Sequence, residues 1–317
     1  MKNTSDYFRQ NNSLNTAFTL SNSWVVLNDI ESSIQKKIQK VSKPLKDWDV
    51  QINYGIKTGF NTAFIINEKI RNILIEKSPK SAEIIRPILR GKDIKKYGIL
   101  NQKEWIIIIP CGWTNQNCGN IPPEIFFKQT YPAIYEYLIE KSLIPSKGKG
   151  LFNRDDQGNY WWELRPCDYL KEFEKEKILY IDIMTDNEEE GYPFPCFSYA
   201  KNGIFTLNTA YFMVGNADNL KYILGVLNSK VGKFIVRNNV TPLQKRQYRM
   251  FQQFVDKFPI PKTSIEIEKK IIKLVDEVIN LKESGLNSET KETEITELCF
   301  SICELNSIEK QHTINQD

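Results

Sequence analysis

Lys57 and Thr58 stand between Gly55 and Gly59 in the stretch NYGIKTGFNTAF, residues 53–64. A basic side chain and a hydroxyl framed by glycines are the raw material of a phosphate-binding loop. The residue order rejects nucleotide binding. That loop needs its lysine directly after a glycine and a helix behind it. Here Ile56 precedes Lys57, and Ala63-Phe-Ile-Ile66 reads as strand. The stretch is therefore expected to be a tight turn of a β-hairpin, with Gly59 at a positive φ.

Other catalytic chemistries fail similar tests. Glu83 with Asp93-Ile-Lys95 can be fitted to a metal-dependent nuclease pattern, but metal-assisted hydrolysis needs converging carboxylates that spacing alone does not supply. The acidic run Asp186-Asn-Glu-Glu-Glu190 reads as a solvated loop, because adjacent side chains seldom converge on one cation. Cys111 and Cys118, and Cys299 and Cys303, lack zinc-finger spacing, and no metal site is expected. His312, in a polar tail, is the only histidine, which nearly excludes a His-based triad or base. There is no GxSxG or GxGxxG loop. The only Pro-Pro, Ile121-Pro-Pro-Glu124, lacks the Asn/Asp-Pro-Pro-aromatic form by which an amino-methyltransferase grips its base.

Cationic side chains carry a stronger signal. The chain's 317 residues have a net charge of +4. Residues 263–317 hold six lysines and twelve acids, a net of −6, which leaves +10 on residues 1–262. A basic body with an acidic tail suggests an anionic partner for the body. The charge concentrates in three segments. Residues 86–103 contain Arg86, Arg90, Lys92, Lys95, Lys96 and Lys103 against Asp93 alone. Residues 141–154 contain Lys141, Lys147, Lys149 and Arg154 with no acid, and include Ser146-Lys-Gly-Lys-Gly150. Residues 230–257 contain Lys230, Lys233, Arg237, Lys245, Arg246, Arg249 and Lys257 against Asp256. Lysine beside glycine suits phosphate, and arginine can read a guanine edge with two hydrogen bonds. Trp161 and Trp162, read as strand neighbours, should point to opposite faces, either both packed in core or one in the core and one near a surface.

The elements that must carry these residues are read from periodicity. Leu27, Ile30, Ile34, Ile38 and Val41 predict an amphipathic helix over about residues 23–42, closed by Lys43-Pro44. Ile70, Ile73 and Leu74 begin a short helix, and 81–89 reads as another. Residues 104–109 and 177–183 read as buried strands, 130–142 as a helix with Pro132 in its first turn, and 203–214 as two short strands. Residues 218–237 read as one helix of about five turns. Phe258-Pro-Ile-Pro-Lys262 is a stiff stop, followed by a capping-box spacing at Thr263-Ser-Ile-Glu266 and two helical stripes. The expected division is a helical lead-in over 1–44, a mixed body over 45–262 and an acidic helical tail over 263–317. No apolar run approaches the ~20 residues that span a bilayer, and no signal peptide is evident, so a cytosolic location with reduced thiols is expected.

Seven segments, taken in order, resemble a known family. They are Pro44-Leu-Lys-Asp-Trp-Asp49, Tyr54-Gly-Ile-Lys-Thr-Gly-Phe-Asn61, Ile85-Arg-Pro-Ile-Leu-Arg-Gly-Lys-Asp-Ile94, Tyr160-Trp-Trp-Glu-Leu-Arg165, Lys177-Ile-Leu-Tyr-Ile-Asp-Ile183, Leu224-Gly-Val-Leu-Asn-Ser-Lys230 and Phe258-Pro-Ile-Pro261. The family is the TaqI-like C-terminal specificity domain, the target-recognition part of adenine-specific DNA methyltransferases and of type II and IIG restriction enzymes. The resemblance spans about residues 22–305. It implies a mixed α/β (α+β) fold, with flanking helices and a C-terminal helical pair, that reads a short double-stranded DNA site. In such enzymes a preceding methyltransferase domain binds S-adenosylmethionine and flips the adenine. Residues 1–44 are too short to hold it, so the expectation is a recognition fragment or subunit without catalysis or cofactor of its own. S-adenosylmethionine and magnesium would then belong to a separate methyltransferase or nuclease domain or subunit.

The family does not fix the reading side chains, so the candidates are chosen physically. Lys57, Thr58, Arg90, Lys92, Lys95, Lys147 and Lys149 are expected to meet phosphate or base. Arg154, Arg165, Lys245, Arg246 and Arg249 are expected to read base edges. The alternative is a protein-interaction subunit that docks a methyltransferase through its helical tail. A magnesium nuclease using Asp93 and Lys95 is weaker still.

Overall fold

The computed structural model describes residues 27–99, 102–144, 148–187, 191 and 193–315. Its centre is a four-stranded antiparallel sheet in the order β10-β8-β12-β2, built from β2 (Val50–Tyr54), β8 (Lys177–Ile181), β10 (Phe197–Ala200) and β12 (Ala210–Gly215). Alternate residues of these strands enter two different cores. Ile178, Tyr180, Tyr211 and Met213 pack into one, while Leu179, Phe212 and Val214 pack into the other. The sheet is thus covered on both faces, which explains why 178–181 is apolar without alternating.

The first core is closed by helices. These are α1 (Asp29–Val41), α7 (Ala217–Asn228), α8 (Lys230–Asn239), α10 (Ile265–Glu283) and α11 (Glu289–Ile302), while α12 (Ser307–Ile314) packs on α1 and α8. Gly225 lets α7 lie close on α10, since a Cβ there would come within 2.8 Å of Ile271. The Pro259–Pro261 strand (β14) pairs antiparallel with Ser42–Pro44 (β1), so the stiff stop fastens both ends of the body together. Such a proline-rich strand suits an edge, where few N–H groups are needed.

The second core lies under a mixed sheet, β11-β4-β7-β3, made of β3 (Ile65–Asn67), β4 (Ile85–Leu89), β7 (Glu104–Ile107) and β11 (Phe205–Thr206). β11 runs parallel to β4, and the other pairs are antiparallel. α3 (Glu68–Lys77), α5 (Pro123–Thr130) and α6 (Pro132–Ser142) contribute to it. The chain is therefore a mixed α/β fold, as the sequence predicts.

Several local expectations are corrected. Residues 50–67 are not a hairpin. β2 joins the central sheet, a short helix α2 (Asn61–Phe64) follows, and β3 joins the other sheet. The tight turn survives, with Gly59 at φ 68°. Residues 81–89 are not a helix but the end of a 3-10 turn (Pro79–Ile84) and strand β4. The 218–237 helix is two helices. Ser229 breaks the run, accepting a hydrogen bond from Gly232 N at 3.2 Å and donating to Val226 O at 2.7 Å. Ser264, not Thr263, caps α10, and α12 adds a third helix to the expected tail pair. Trp161 and Trp162 lie on a turn rather than a strand. Trp162 is buried, stacked on Phe127 and Tyr160, with its indole N–H on Thr114 Oγ1 at 2.9 Å.

Candidate nucleic-acid interface

One end of the central sheet gathers five of the twelve candidates. The last residue of β2, Tyr54, faces Tyr211, and the last of β8, Ile181, faces Ala210. Around this row the connecting segments are tied to Thr209. Gly91 N donates to Thr209 Oγ1 at 3.2 Å, and Asp182 N donates to Thr209 O at 3.0 Å. Met250 N donates to Asp182 O at 2.8 Å, which brings in the strand β13 (Gln247–Arg249). Ile56 N donates to Thr206 O at 2.7 Å, anchoring the chain before Lys57. Four segments distant in sequence thus place Arg90 and Lys92, Lys57, and Arg249 about a single sheet end.

A cleft of about 420 Å³ opens there, lined by Tyr54, Lys57, Cys111, Arg165, Asp168 and Tyr169 among others. Asp156 bridges two cations at its rim. Lys57 Nζ lies 3.6 Å from one carboxylate oxygen and Arg165 Nη1 lies 3.1 Å from the other. On the other side of Tyr54, Arg249 lies over the Phe251 ring at 4.8 Å and 3.5 Å from Asp182. Burial, then Asp182, push the Tyr54 hydroxyl above its ordinary range, so it stays a neutral hydrogen-bonding group and donates to Asn208 O. Arg90 makes a forked pair with Glu104, with Nη2–Oε1 at 2.9 Å, and this pairing raises the arginine further. Lys149 pairs with Asp155. Lys92 and Lys95 are exposed and meet no carboxylate among the described residues. Lys95 sits on a two-residue strand, β5 (Ile94–Lys95).

Two candidates are corrected. Thr58 is buried, and its hydroxyl donates to Asn61 Oδ1 at 2.6 Å. Arg154 is 3% exposed, and its guanidinium donates to the carbonyls of Thr58 (2.9 Å), Leu151 (2.9 Å), Trp161 and Glu163. Burial lowers its pKa to about 10, which still leaves it charged at neutral pH. With its donors committed, it braces the loop behind Lys57 and Arg165 and reads no base. Lys147 lies outside the described residues. Of Lys245 only the backbone is described, in a 3-10 turn (Gln244–Arg246).

Arg246 is half exposed, with φ at 56°, a strained conformation for a residue other than glycine. It lies 3.4 Å from Asp186. Asp186 is not the solvated loop residue expected. It is 2% exposed and also holds Arg237 and Lys233, the latter at 3.9 Å. Asp93 accepts from Arg90 N at 2.8 Å as a local cap. Among the described residues no group of His, Cys, Asp or Glu is placed to hold a metal ion. All six cysteines are free, and burial raises Cys196 to about 11 and Cys299 to about 12, so neither acts as a thiolate at neutral pH.

Residue-by-residue reading missed Tyr54, Phe251, Asp156 and Asp182. The visible signal for Tyr54 is its place at the end of an alternating strand. For Asp156 it is the Arg154-Asp-Asp triplet. Nothing local marks Asp182 as a partner of Arg249.

The family model for the TaqI-like C-terminal specificity domain matches residues 86–260, and the chain belongs to that family. It is 24% identical over 272 residues to the type II methyltransferase M.MjaIV of Methanocaldococcus jannaschii, covering 83% of this chain and 82% of that protein. Among solved structures it is similar to the type IIL restriction-modification enzyme MmeI in complex with DNA. The TM-score is 0.53 at 12% identity, over 86% of this chain and 35% of the other. The type IIG restriction endonuclease BpuSI is similar with a TM-score of 0.48 at 14% identity, over 87% and 33%. The chain spans about a third of the length of these two enzymes, and the likeness to MmeI is one of fold. Among the described residues no helix is long and apolar enough to cross a membrane.

Proposed function

We propose that this chain is the part of a restriction-modification system that reads a short double-stranded DNA sequence. The observation that carries the reading is the gathering of Lys57, Arg90, Lys92, Arg165 and Arg249 at one end of the central sheet, from segments far apart in sequence. Phosphate contacts from the lysines fix the register of the duplex, and the arginines beside Tyr54 and the cleft meet base edges. Membership of a specificity-domain family supports the same role.

Methyl transfer or cleavage is the work of another domain or subunit, which holds S-adenosylmethionine or magnesium. The DNA-reading role is tested by binding. The protein is incubated with a random duplex pool, bound duplexes are recovered, and affinity for a recovered duplex and a scrambled one is followed against salt. A steep fall of affinity with salt, with a preference for the recovered duplex that survives it, is expected. Equal affinity for every duplex, or none at low salt, overturns the reading.

A further inference from the structure

Four of the five cations at this end of the sheet are matched by acids, Lys92 being the exception. Arg90 forks onto Glu104, Lys57 and Arg165 share Asp156, and Arg249 meets Asp182. Glu104 and Asp182 come from elements other than those of their cations, and Asp156 reaches Lys57 from a distant loop while facing Arg165 across the Gln157–Leu164 bridge of its own turn. Their side chains stay partly accessible, at 33% for Glu104, 25% for Asp156 and 17% for Asp182. They therefore stand where an approaching phosphate meets them as well as the cations. Asp186 differs, being almost wholly buried under Lys233, Arg237 and Arg246, and serves as an anchor for the fold.

We infer that Glu104, Asp156 and Asp182 set sequence selectivity by holding off DNA that lacks the target site. The inference rests on the DNA-recognition reading above. A paired cation and carboxylate present almost no net charge, so a phosphate that meets the pair releases few counterions and gains little. A half-exposed pair is itself weak, which leaves the arginine free to exchange partners. On a target sequence the guanidinium leaves its carboxylate for a base edge, and the two hydrogen bonds of that contact compensate for the lost pair. On other sequences there is no base contact to compensate, and carboxylate–phosphate repulsion remains. The carboxylates thereby weaken non-specific binding more than specific binding.

The test uses the full chain carrying Asp156→Asn, Asp182→Asn or Glu104→Gln, which preserve side-chain size. Each is titrated with a duplex recovered by the wild type and with a scrambled duplex of the same composition. Affinity for the scrambled duplex should rise about three- to tenfold per substitution, with a steeper salt dependence. Affinity for the recovered duplex should change by less than about twofold, so discrimination falls. Parallel changes on both duplexes, or no change on the scrambled one, overturn the inference. Melting curves check the fold, and Asp156→Asn decides if the other variants melt early, since Asp156 makes no backbone contact that the change removes. A wild type that does not discriminate between the duplexes refutes the DNA-recognition reading itself, and is distinct from these outcomes.

Discussion

Arg154 and Arg165 flank one aromatic turn and read alike in sequence, yet the fold uses them in opposite ways. Arg154 is sealed behind the turn, with its guanidinium donating to the carbonyls of Thr58, Leu151, Trp161 and Glu163. Arg165 stands at the cleft rim with about half its side chain exposed and one shared carboxylate. The difference teaches that a cation's role is set by what its donors have left to offer. The guanidinium of Arg154 is spent on backbone, while Arg165 can trade one weak partner for a stronger one. The same division separates Asp186, buried under three cations, from Asp156 and Asp182.

The comparison breaks most visibly at Arg154. Replacing it with Met leaves four buried carbonyls without their donor, each a cost of about 1 kcal/mol or more, so a loss of roughly 3–5 kcal/mol is expected in urea unfolding. Any fall in DNA affinity should track the unfolded fraction. An Arg154→Met protein as stable as wild type would put Arg154 back among the surface cations.

Lys177 sharpens the buried side of the contrast. It is fully buried at the start of β8, with Nζ donating to Phe173 O at 2.8 Å, and burial lowers its pKa to about 8. Its folded pKa lies below its unfolded value near 10.5, so between these values the unfolded chain binds the extra proton. The cost of burying the charge is therefore full below pH 8 and disappears as pH rises towards 10.5. Relative to Lys177→Met, the wild type should gain up to about 3 kcal/mol across that window. Parallel stability curves for the two proteins would contradict the assignment.

At the exposed end the expected effect on stability is smallest. Lys57→Ala, Arg165→Ala and Arg249→Ala together should cost under about 1 kcal/mol, because half-exposed ion pairs contribute little to folding. Differential scanning calorimetry checks this.

The helices were legible where apolar residues recur at helical spacing, as at Ile34 and Ile38 or Leu274 and Val278. The strand was legible from the unbroken apolar run 178–181. What misled was punctuation by tertiary contacts. Ala63-Phe-Ile-Ile66 is apolar enough for a strand, but half of it turns as a helix so that the chain can cross between sheets. Residues 81–89 hold apolar residues that suit helix or strand equally, and pairing with β7 decides. Ser229 breaks a continuous helical stripe by capping the second half. The site was legible as a set of cationic segments, since charge is a property of composition. Whether an arginine faces solvent or carbonyls depends on loops closing from far away, and no local pattern carries that.

The most direct test of the central claim is the binding isotherm of the Lys57→Ala/Arg165→Ala/Arg249→Ala protein on a duplex recovered by the wild type, at fixed salt. Loss of at least about 2 kcal/mol of binding free energy is expected, with discrimination against a scrambled duplex largely gone. Affinity and discrimination equal to wild type in the folded triple variant would contradict the assignment of this sheet end as the DNA-reading surface.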